Sequence, residues 1–171
     1  MAEHGIKQIN IVAVNLYPFE ATVAKPDCSF ADAIENIDIG GATMIRSAAK
    51  NHAHVAVIVD PDDYPRVVAE LEANDGRIND ELRTELATKG FAHTACYDAA
   101  IWAYLHSQSD ETDFPGLWPV ALKHRETLRY GENPHQAAAL YANGAESPGT
   151  LIAADQLQGK PLSFNNIADA N

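Results

Sequence analysis

The sequence is poor in basic side chains: its 171 residues include 12 Lys and Arg against 24 Asp and Glu, which gives a net charge of −12. A protein that binds nucleic acid needs a basic face that neutralises several phosphates, and this composition does not provide one. A few local cations can still hold a single phosphate group. We therefore expect no nucleic-acid partner, whereas a small anionic metabolite is compatible with the sequence.

Cysteines and long apolar runs are scarce as well. The two cysteines, Cys28 and Cys96, cannot form a disulfide scaffold, and neither belongs to a CxxC pair. Such cysteine usage favours a reducing compartment, so we expect a cytoplasmic protein. No apolar run reaches the roughly 20 residues of a membrane span, and none of the histidines has the spacing of metal ligands. We expect neither a membrane nor a metal as a partner.

The apolar fraction of 46% is that of a folded globular protein. Two short β-branched runs, INIVAV at residues 9–14 and VAVIV at residues 55–59, predict buried strands that end before Pro18 and Pro61. A continuously apolar strand needs cover on both faces, and sequence with helical spacing separates these two strands. The pattern indicates an α/β fold with a parallel sheet.

Four segments are predicted to be helices. The first begins after Ser29, whose side chain can cap it, and the pair Gly40 and Gly41 is expected to interrupt the chain before the second. The fourth is expected to break near Gly90 and to carry an apolar stripe. The predicted helices span residues 30–37, 42–51, 62–73 and 80–106. The predicted stripe consists of Phe91, Ala95, Ala99, Trp102 and Leu105.

Residues 107–119 differ in composition from the sequence before them. They read SQSDETDFPGLWP, which is polar, acidic and interrupted by Pro115 and Gly116. This composition predicts a linker between two domains. The chain then ends in what resembles the first turns of a helix, so we expect the second domain to be incomplete.

The first cluster with potential chemistry is NLYPF at residues 15–19, directly after the first predicted strand. The carboxyl ends of strands are where open α/β sheets bind ligands, which makes Asn15 and Tyr17 candidates. The alternative is an ordinary strand-to-loop turn in which Tyr17 and Phe19 are core aromatics.

The second cluster, at residues 35–52, places Asp38 before Gly40 and Gly41 at a predicted helix start. Glycines let the backbone approach a ligand, and free amides at a helix N-terminus attract anions. Alternatively, Asp38 is a helix cap and Lys50 is a last-turn cation that complements the helix dipole. At about 1.5 Å per residue, a helix separates the backbones of Asp38 and Lys50 by more than about 10 Å. The two residues cannot share one atom of a small substrate unless the long Lys50 side chain folds back, but they can flank a ligand of nucleotide size.

The third cluster is LRYGENPHQ at residues 128–136, a turn-rich segment that combines Arg129, Tyr130 and His135. A guanidinium suits a bidentate phosphate contact, and the phenol and imidazole add further donors. An irregular segment this rich in donors packs poorly in a core, so it is a candidate ligand-binding loop.

Five segments, in the same order, resemble the bifunctional purine-biosynthesis enzymes. These enzymes join a phosphoribosylaminoimidazolecarboxamide (AICAR) formyltransferase to an IMP cyclohydrolase. The similarity covers nearly the whole chain and is weakest over residues 74–90 and 107–119. The five segments are NLYPFE at 15–20, ENIDIGGATMIRSAAKNH at 35–52, HTACYDAAIWAYL at 93–105, LRYGENPHQ at 128–136 and LSFNNIADA at 162–170.

The resemblance implies that residues 1–117 are the C-terminal part of a cyclohydrolase domain with the methylglyoxal-synthase-like (MGS-like) α/β fold. Residues 118–171 would then begin a transferase domain of cytidine-deaminase-like fold. The family has a Ser- and Lys-rich phosphate loop before the first segment and a Lys-His pair beyond the last, and this sequence contains neither. The resemblance therefore implies a chain truncated at both ends.

The resemblance also implies roles in the cyclohydrolase, which closes the formylated ribonucleotide FAICAR to IMP with loss of water and needs no metal. Tyr17, Asp38 and Lys50 match its catalytic positions. Asp38 would orient or deprotonate the carboxamide, whereas Tyr17 and Lys50 would stabilise charge on the formyl oxygen or donate a proton. The implied substrate-binding positions beside them are Asn15, Gly40 and Gly41.

For the transferase, the resemblance assigns Arg129, Tyr130, His135 and Asn166 to the site of the ribonucleotide AICAR. The family's formyl donor is 10-formyltetrahydrofolate, and the full-length enzymes form homodimers. The alternative, from another functional class, is a non-catalytic module that binds a nucleotide phosphate or mediates dimerisation. Turnover of FAICAR distinguishes the two.

Overall fold

A computed structural model describes residues 4–109, 114–144 and 148–170 of the chain. The chain divides into two compact units, Met1–Pro119 and Val120–Asn171. Residues 110–113 of the predicted linker lie outside the described part. Within the described ranges, no helix is long and apolar enough to cross a bilayer.

In its described residues, the first unit contains two short strands and five α-helices. Its elements are β1 (Ile11–Ala13), α1 (Phe19–Val23), α2 (Phe30–Glu35), α3 (Gly40–Lys50), β2 (Ala56–Ile58), α4 (Tyr64–Ala73) and α5 (Asp80–Ser107). A short 3-10 helix, Pro61–Asp63, leads into α4. The strands β1 and β2 pair in parallel, with Val12 opposite Val57. The parallel α/β arrangement predicted from the two apolar runs is confirmed.

Strand β2 lies at the centre of the core, since all three of its residues are buried. Successive side chains of a strand face opposite sides of the sheet. Val57 packs with Ile45 and Ala49 of α3, whereas Ile58 belongs to a second cluster that includes Leu86 of α5. Both faces of β2 are therefore covered, as its uninterrupted apolar sequence predicts.

The starts of α2 and α3 differ in how well they were predicted. Ser29 caps α2 as expected: its hydroxyl accepts from Asp32 N–H, and the Asp32 carboxylate accepts from Ser29 N–H, each at 3.1 Å. The predicted interruption at the glycine pair is wrong, because α3 begins at Gly40 itself. The glycines form the first turn of α3, where the Asp38 carboxylate accepts from Gly41 N–H.

The break predicted near Gly90 is also wrong, since α5 runs without interruption over 28 residues. A Cβ at Gly90 would lie 3.3 Å from Val57 Cγ1 and 3.4 Å from Ile45 Cγ2. Glycine therefore lets α5 approach β2 and α3 closely. This packing outweighs the cost of about 1 kcal/mol that glycine carries inside a helix.

The buried face of α5 is not the predicted apolar stripe. Phe91 and Leu105 are 40% and 37% exposed. Small and medium side chains take the buried positions, because a close approach of helix and strand leaves little room for large ones. The buried residues of α5 are Leu86, Ala87, Gly90 and Thr94.

The second unit contains a hairpin and a short helix. Its elements are β3 (Lys123–Leu128), β4 (Ala138–Ala142) and α6 (Phe164–Ala170), with a 3-10 turn at Leu151–Ala153. The two strands are antiparallel, and their register shifts between His124 and Glu126. Each strand buries a single residue, Leu128 in β3 and Ala142 in β4.

Candidate functional site

Asp38 lies half-buried in the loop between α2 and α3, and both of its carboxylate oxygens are held by backbone amides. Oδ1 accepts from Gly41 N–H at 2.6 Å, and Oδ2 accepts from Tyr17 N–H at 3.3 Å. The carboxylate thus caps the first turn of α3 and ties it to the segment after β1. This is the geometry of the helix-cap alternative, and it also brings together three of the predicted site residues.

The two glycines of the predicted site are sterically unequal. A Cβ at Gly41 would lie 2.6 Å from Asp38 Oδ2 and 2.8 Å from Leu16 Cδ2, whereas a Cβ at Gly40 would meet nothing within 4 Å. Only Gly41 is therefore required for the close packing around the carboxylate. Gly40 is exposed on the solvent side of the same turn.

Tyr17 and Phe19, the two candidate core aromatics of the first cluster, occupy different environments. Phe19 is 1% exposed and packs edge-on against Tyr97 and Tyr104, with ring centroids 6.2 Å and 5.8 Å away. Tyr17 is 55% exposed, so its phenol is open to a ligand. Asn15 is exposed as well. The core interpretation holds for Phe19 and does not hold for Tyr17.

Lys50 lies at the opposite end of α3 from Asp38. The helix has 11 residues, and at about 1.5 Å per residue this places the backbone of Lys50 about 15 Å from that of Gly40. Lys50 is exposed and occupies the last turn, as the helix-dipole alternative expects. The structure does not bring Lys50 into contact with Tyr17 or Asp38, and its catalytic role stays a prediction.

Tyr97 of α5 contacts the Asp38 loop and was not singled out from the sequence. Its hydroxyl accepts from Asp38 N–H at 2.8 Å and donates to the Asn36 carbonyl at 3.2 Å. Burial raises the pKa of the Tyr97 phenol, so the group stays protonated at neutral pH and keeps its donor. The segment HTACYDAAIWAYL contains this residue, and the resemblance alone assigned it no role.

A charged cluster follows β2 and was also missed. Lys89 Nζ lies 2.6 Å from Asp60 Oδ2 and 2.9 Å from Asp63 Oδ2, and Arg66 pairs with Asp63 at 3.0 Å and with Glu85 at 2.5 Å. The hydrogen bond from Lys89 lowers the pKa of Asp60 and raises that of Lys89. These pairs connect the turn after β2 to α4 and α5, which gives them a structural role.

A cavity of about 500 Å³ lies near the amino ends of the strands, away from Asp38. Neither Tyr17, Asp38 nor Lys50 lines it. Within the described ranges, no group of three His, Cys, Asp or Glu side chains is arranged to hold a metal ion. The polar side chains that line the cavity are Asn10, His54, Asn74, Arg77, Asn79, Asp80 and Arg83.

In the second unit, main-chain hydrogen bonds join the two segments that carry its predicted residues. Arg129 N–H donates to the Leu162 carbonyl at 2.9 Å, and Phe164 N–H donates to the Tyr130 carbonyl at 3.0 Å. The Arg129 guanidinium lies over the Tyr130 ring, 4.8 Å from its centroid. Segments more than 30 residues apart in sequence thus form one loop cluster.

Asn166 and His135 have different environments within this cluster. The Asn166 side-chain oxygen accepts from Ser163 N–H at 3.1 Å and from the Ser163 hydroxyl at 3.0 Å, which stabilises the start of α6. His135 is exposed in a turn closed by Gly131 N–H donating to the Gln136 carbonyl at 2.7 Å. The structure gives Asn166 a local structural role, and its substrate-binding role stays a prediction.

Comparison with known families decides what these motifs belong to. Residues 48–171, more than half of the chain, match the family model described as the AICARFT/IMPCHase bienzyme. The chain belongs to the AICARFT/IMPCHase bienzyme family. Residues 1–43 match the model of the MGS-like domain. The bienzyme resemblance and the MGS-like α/β fold predicted from the sequence are both confirmed.

Individual relatives agree with the bienzyme assignment. The chain is 53% identical over 179 aligned positions to the bifunctional purine biosynthesis protein PurH of Neisseria meningitidis serogroup A and to that of Neisseria gonorrhoeae. All of this chain aligns, but it spans only 34% of the length of each relative. The crystal structure of ForH is 38% identical, with a TM-score of 0.55 over 66% of this chain and 57% of that chain.

Proposed function

We propose that this chain is part of a bifunctional purine-biosynthesis enzyme in which residues 1–117 belong to the IMP cyclohydrolase and residues 118–171 begin the AICAR formyltransferase. The observation that carries the proposal is the Asp38 carboxylate, held between Gly41 N–H and Tyr17 N–H at the carboxyl end of β1. The division of the chain into units at Pro119 supports the two-part assignment. The two free cysteines are compatible with a cytoplasmic location.

The proposed cyclisation joins two groups that already lie on one imidazole ring. The carboxamide nitrogen of FAICAR attacks the formyl carbon, a C–N bond forms, and the formyl oxygen leaves as water to give IMP. Because the substrate holds both partners, orientation is largely supplied before the protein acts. The protein must deprotonate a weak nucleophile and stabilise a developing oxyanion.

Asp38 orients the carboxamide and accepts its proton. Two backbone amides already fix the direction of the carboxylate, which leaves its remaining lone pairs for the substrate. The exposed phenol of Tyr17, whose backbone N–H binds Asp38, is the proposed donor for the formyl oxygen. The catalytic role of Lys50 is supported by the family resemblance alone, because the length of α3 separates Lys50 from Asp38.

In the proposed transferase, Arg129, Tyr130, His135 and Asn166 contribute to the AICAR site of the full-length enzyme, with 10-formyltetrahydrofolate as the formyl donor. Stacking on the Tyr130 ring pre-orients the Arg129 guanidinium for the phosphate. The proposed full-length enzyme is a homodimer. The proposal involves neither nucleic acid nor membrane.

The cyclohydrolase assignment is tested by incubating the 171-residue chain with FAICAR and monitoring the absorbance of the IMP formed. Asp38→Asn should lower kcat by about 10² to 10⁴-fold, the range for a lost general base. Lys50→Ala should lower it as well if the resemblance assigns its role correctly. The matched controls are Asp27→Asn and Lys160→Ala, both at exposed positions outside the site, and they should leave turnover unchanged.

The alternative module makes the opposite prediction. If the wild-type chain binds FAICAR or IMP without turnover, the catalytic assignment of this chain is wrong, and a nucleotide-phosphate-binding or dimerisation module is the better description. Isothermal titration with IMP measures the binding, and analytical ultracentrifugation measures the dimerisation.

A further inference from the structure

Tyr97 has one hydroxyl that bonds two backbone groups of the same short loop. It accepts from Asp38 N–H and donates to the Asn36 carbonyl, so it spans loop 36–38 from both ends. A hydroxyl is both a donor and an acceptor, and the side chain nearest in shape, phenylalanine, is neither. No other described side chain makes this pair of hydrogen bonds.

The ring of Tyr97 contacts the second segment of the site. Its edge-on partner Phe19 is buried and lies two residues after Tyr17, whose N–H binds the Asp38 carboxylate. Tyr97 thus contacts both segments that meet at Asp38: the residues after β1 through its ring, and loop 36–38 through its hydroxyl.

The helix that carries Tyr97 is anchored in the core. On α5, Leu86, Ala87 and Gly90 are buried against the clusters around β2, and the helix continues without a break to Ser107. The position of the Tyr97 hydroxyl is therefore determined by core packing rather than by the loop that it binds.

We propose that Tyr97 is a positioning residue that sets the direction of the Asp38 carboxylate by holding loop 36–38 against α5. Its effect on cyclisation rests on the proposed function, but its effect on the loop does not. Displacement of a reacting group by about 1 Å costs about 100-fold in rate, so loss of this hydroxyl should act on kcat more than on KM.

The test is Tyr97→Phe, which removes one oxygen and keeps the ring on Phe19. The matched control is Tyr104→Phe: Tyr104 lies on the same helix and also packs edge-on against Phe19, at 5.8 Å, while its hydroxyl makes no hydrogen bond to a described residue. Both variants retain the aromatic cluster, and only one loses the bonds to the loop.

Amide NMR of the 171-residue chain gives a readout that does not depend on activity. Tyr97→Phe should shift the amide signals of Asp38, Gly41 and Tyr17 and raise the exchange rate of Gly41 N–H by about 10-fold, the effect of one ordinary hydrogen bond. The Val57 amide in the core should keep its protection, and Tyr104→Phe should leave all four signals unchanged.

Kinetics supply the second readout. If the chain cyclises FAICAR, Tyr97→Phe should lower kcat by about 10 to 100-fold with little change in KM. Tyr104→Phe should leave both kcat and KM unchanged. If the wild-type chain has no turnover, the proposed function fails, and the NMR comparison alone decides on Tyr97.

Three NMR results overturn the proposal: unchanged Asp38, Gly41 and Tyr17 amides in Tyr97→Phe, equal effects of the two variants on these amides, or a loss of Val57 protection that shows a global role. A turnover of Tyr97→Phe equal to that of an active wild type overturns it as well.

Discussion

In the first unit, β2 is buried on both faces beneath α3, α4 and α5, whereas in the second unit each strand of the hairpin buries one residue. The candidate residues differ in the same way. Asp38 is held by amides from two segments and by an aromatic side chain from a core helix. Arg129 and Tyr130 are held by main-chain hydrogen bonds to residues 162–164.

The two units thus position their candidate loops in two ways. Burial of apolar area stabilises the first unit by roughly 25 cal/mol for each Å² removed from water. A two-stranded hairpin is only marginally stable by itself, so the second unit depends more on individual hydrogen bonds. The stability losses caused by core and cap substitutions should therefore differ between the two units.

The largest effect is expected in the core of the first unit. Leu86 is 1% exposed, and Leu86→Ala should lower the free energy of unfolding by about 2–5 kcal/mol because it leaves a cavity. Urea denaturation followed by far-UV circular dichroism measures it. The same substitution at Leu157, which is 93% exposed, should change little. Equal effects at the two leucines would contradict the comparison.

A smaller loss of stability is expected at Gly41, which packs against the Asp38 carboxylate. Gly41→Ala introduces a Cβ only 2.6 Å from Asp38 Oδ2, so the turn must shift, at a cost of about 1–3 kcal/mol. Gly40→Ala adds the same methyl group in open space and should leave the melting temperature unchanged or slightly raised. Melting curves of the two variants check this, and an equal fall in both would mean that the Asp38 contact is unimportant.

In the second unit, the expected loss of stability is about the amount that follows from removing one helix cap. Ser163 is fully buried and exchanges hydrogen bonds with Asn166 at the start of α6. Ser163→Ala should destabilise α6 by about 1 kcal/mol. The measurement is faster amide exchange in α6, including its first residue, Phe164. Amides of β2 in the first unit should exchange at their original rates, and a change there would show that the units do not respond separately.

The smallest effect concerns pH. The hydrogen bond from Lys89 lowers the pKa of Asp60, so Asp60 stabilises the fold above its unfolded pKa of about 3.9 and loses this contribution as the pH falls through the lower folded value. Asp60→Asn should therefore lose less stability than the wild type between about pH 5 and pH 3. Urea midpoints of Asp60→Asn and the wild type, measured across this pH range, check the difference. Parallel curves for Asp60→Asn and the wild type would exclude the effect.

Local patterns predicted the parts of the fold that depend on local physics. The apolar runs at β1 and β2 and the cap at Ser29 required only the sequence, because strand burial and capping are properties of a few adjacent residues. The errors at Gly40 and Gly90 have the opposite cause. Gly90 lies inside α5 because of close contacts with distant residues, and α3 begins at Gly40 because the Asp38 carboxylate accepts from the neighbouring Gly41 N–H. Both effects outweigh the poor helix propensity of glycine.

The candidate site was predicted in part for the same reason. The motif around Asp38 is contiguous, and the sequence by itself determined the α/β class and the family motifs, from which the candidate side chains were predicted. Only the tertiary structure decided that Asp38 meets Tyr17 and Tyr97, and that Lys50 lies a helix length away. Contacts across 21 and 59 residues arise from packing of α5 and β1 around one core, and no local pattern encodes that packing.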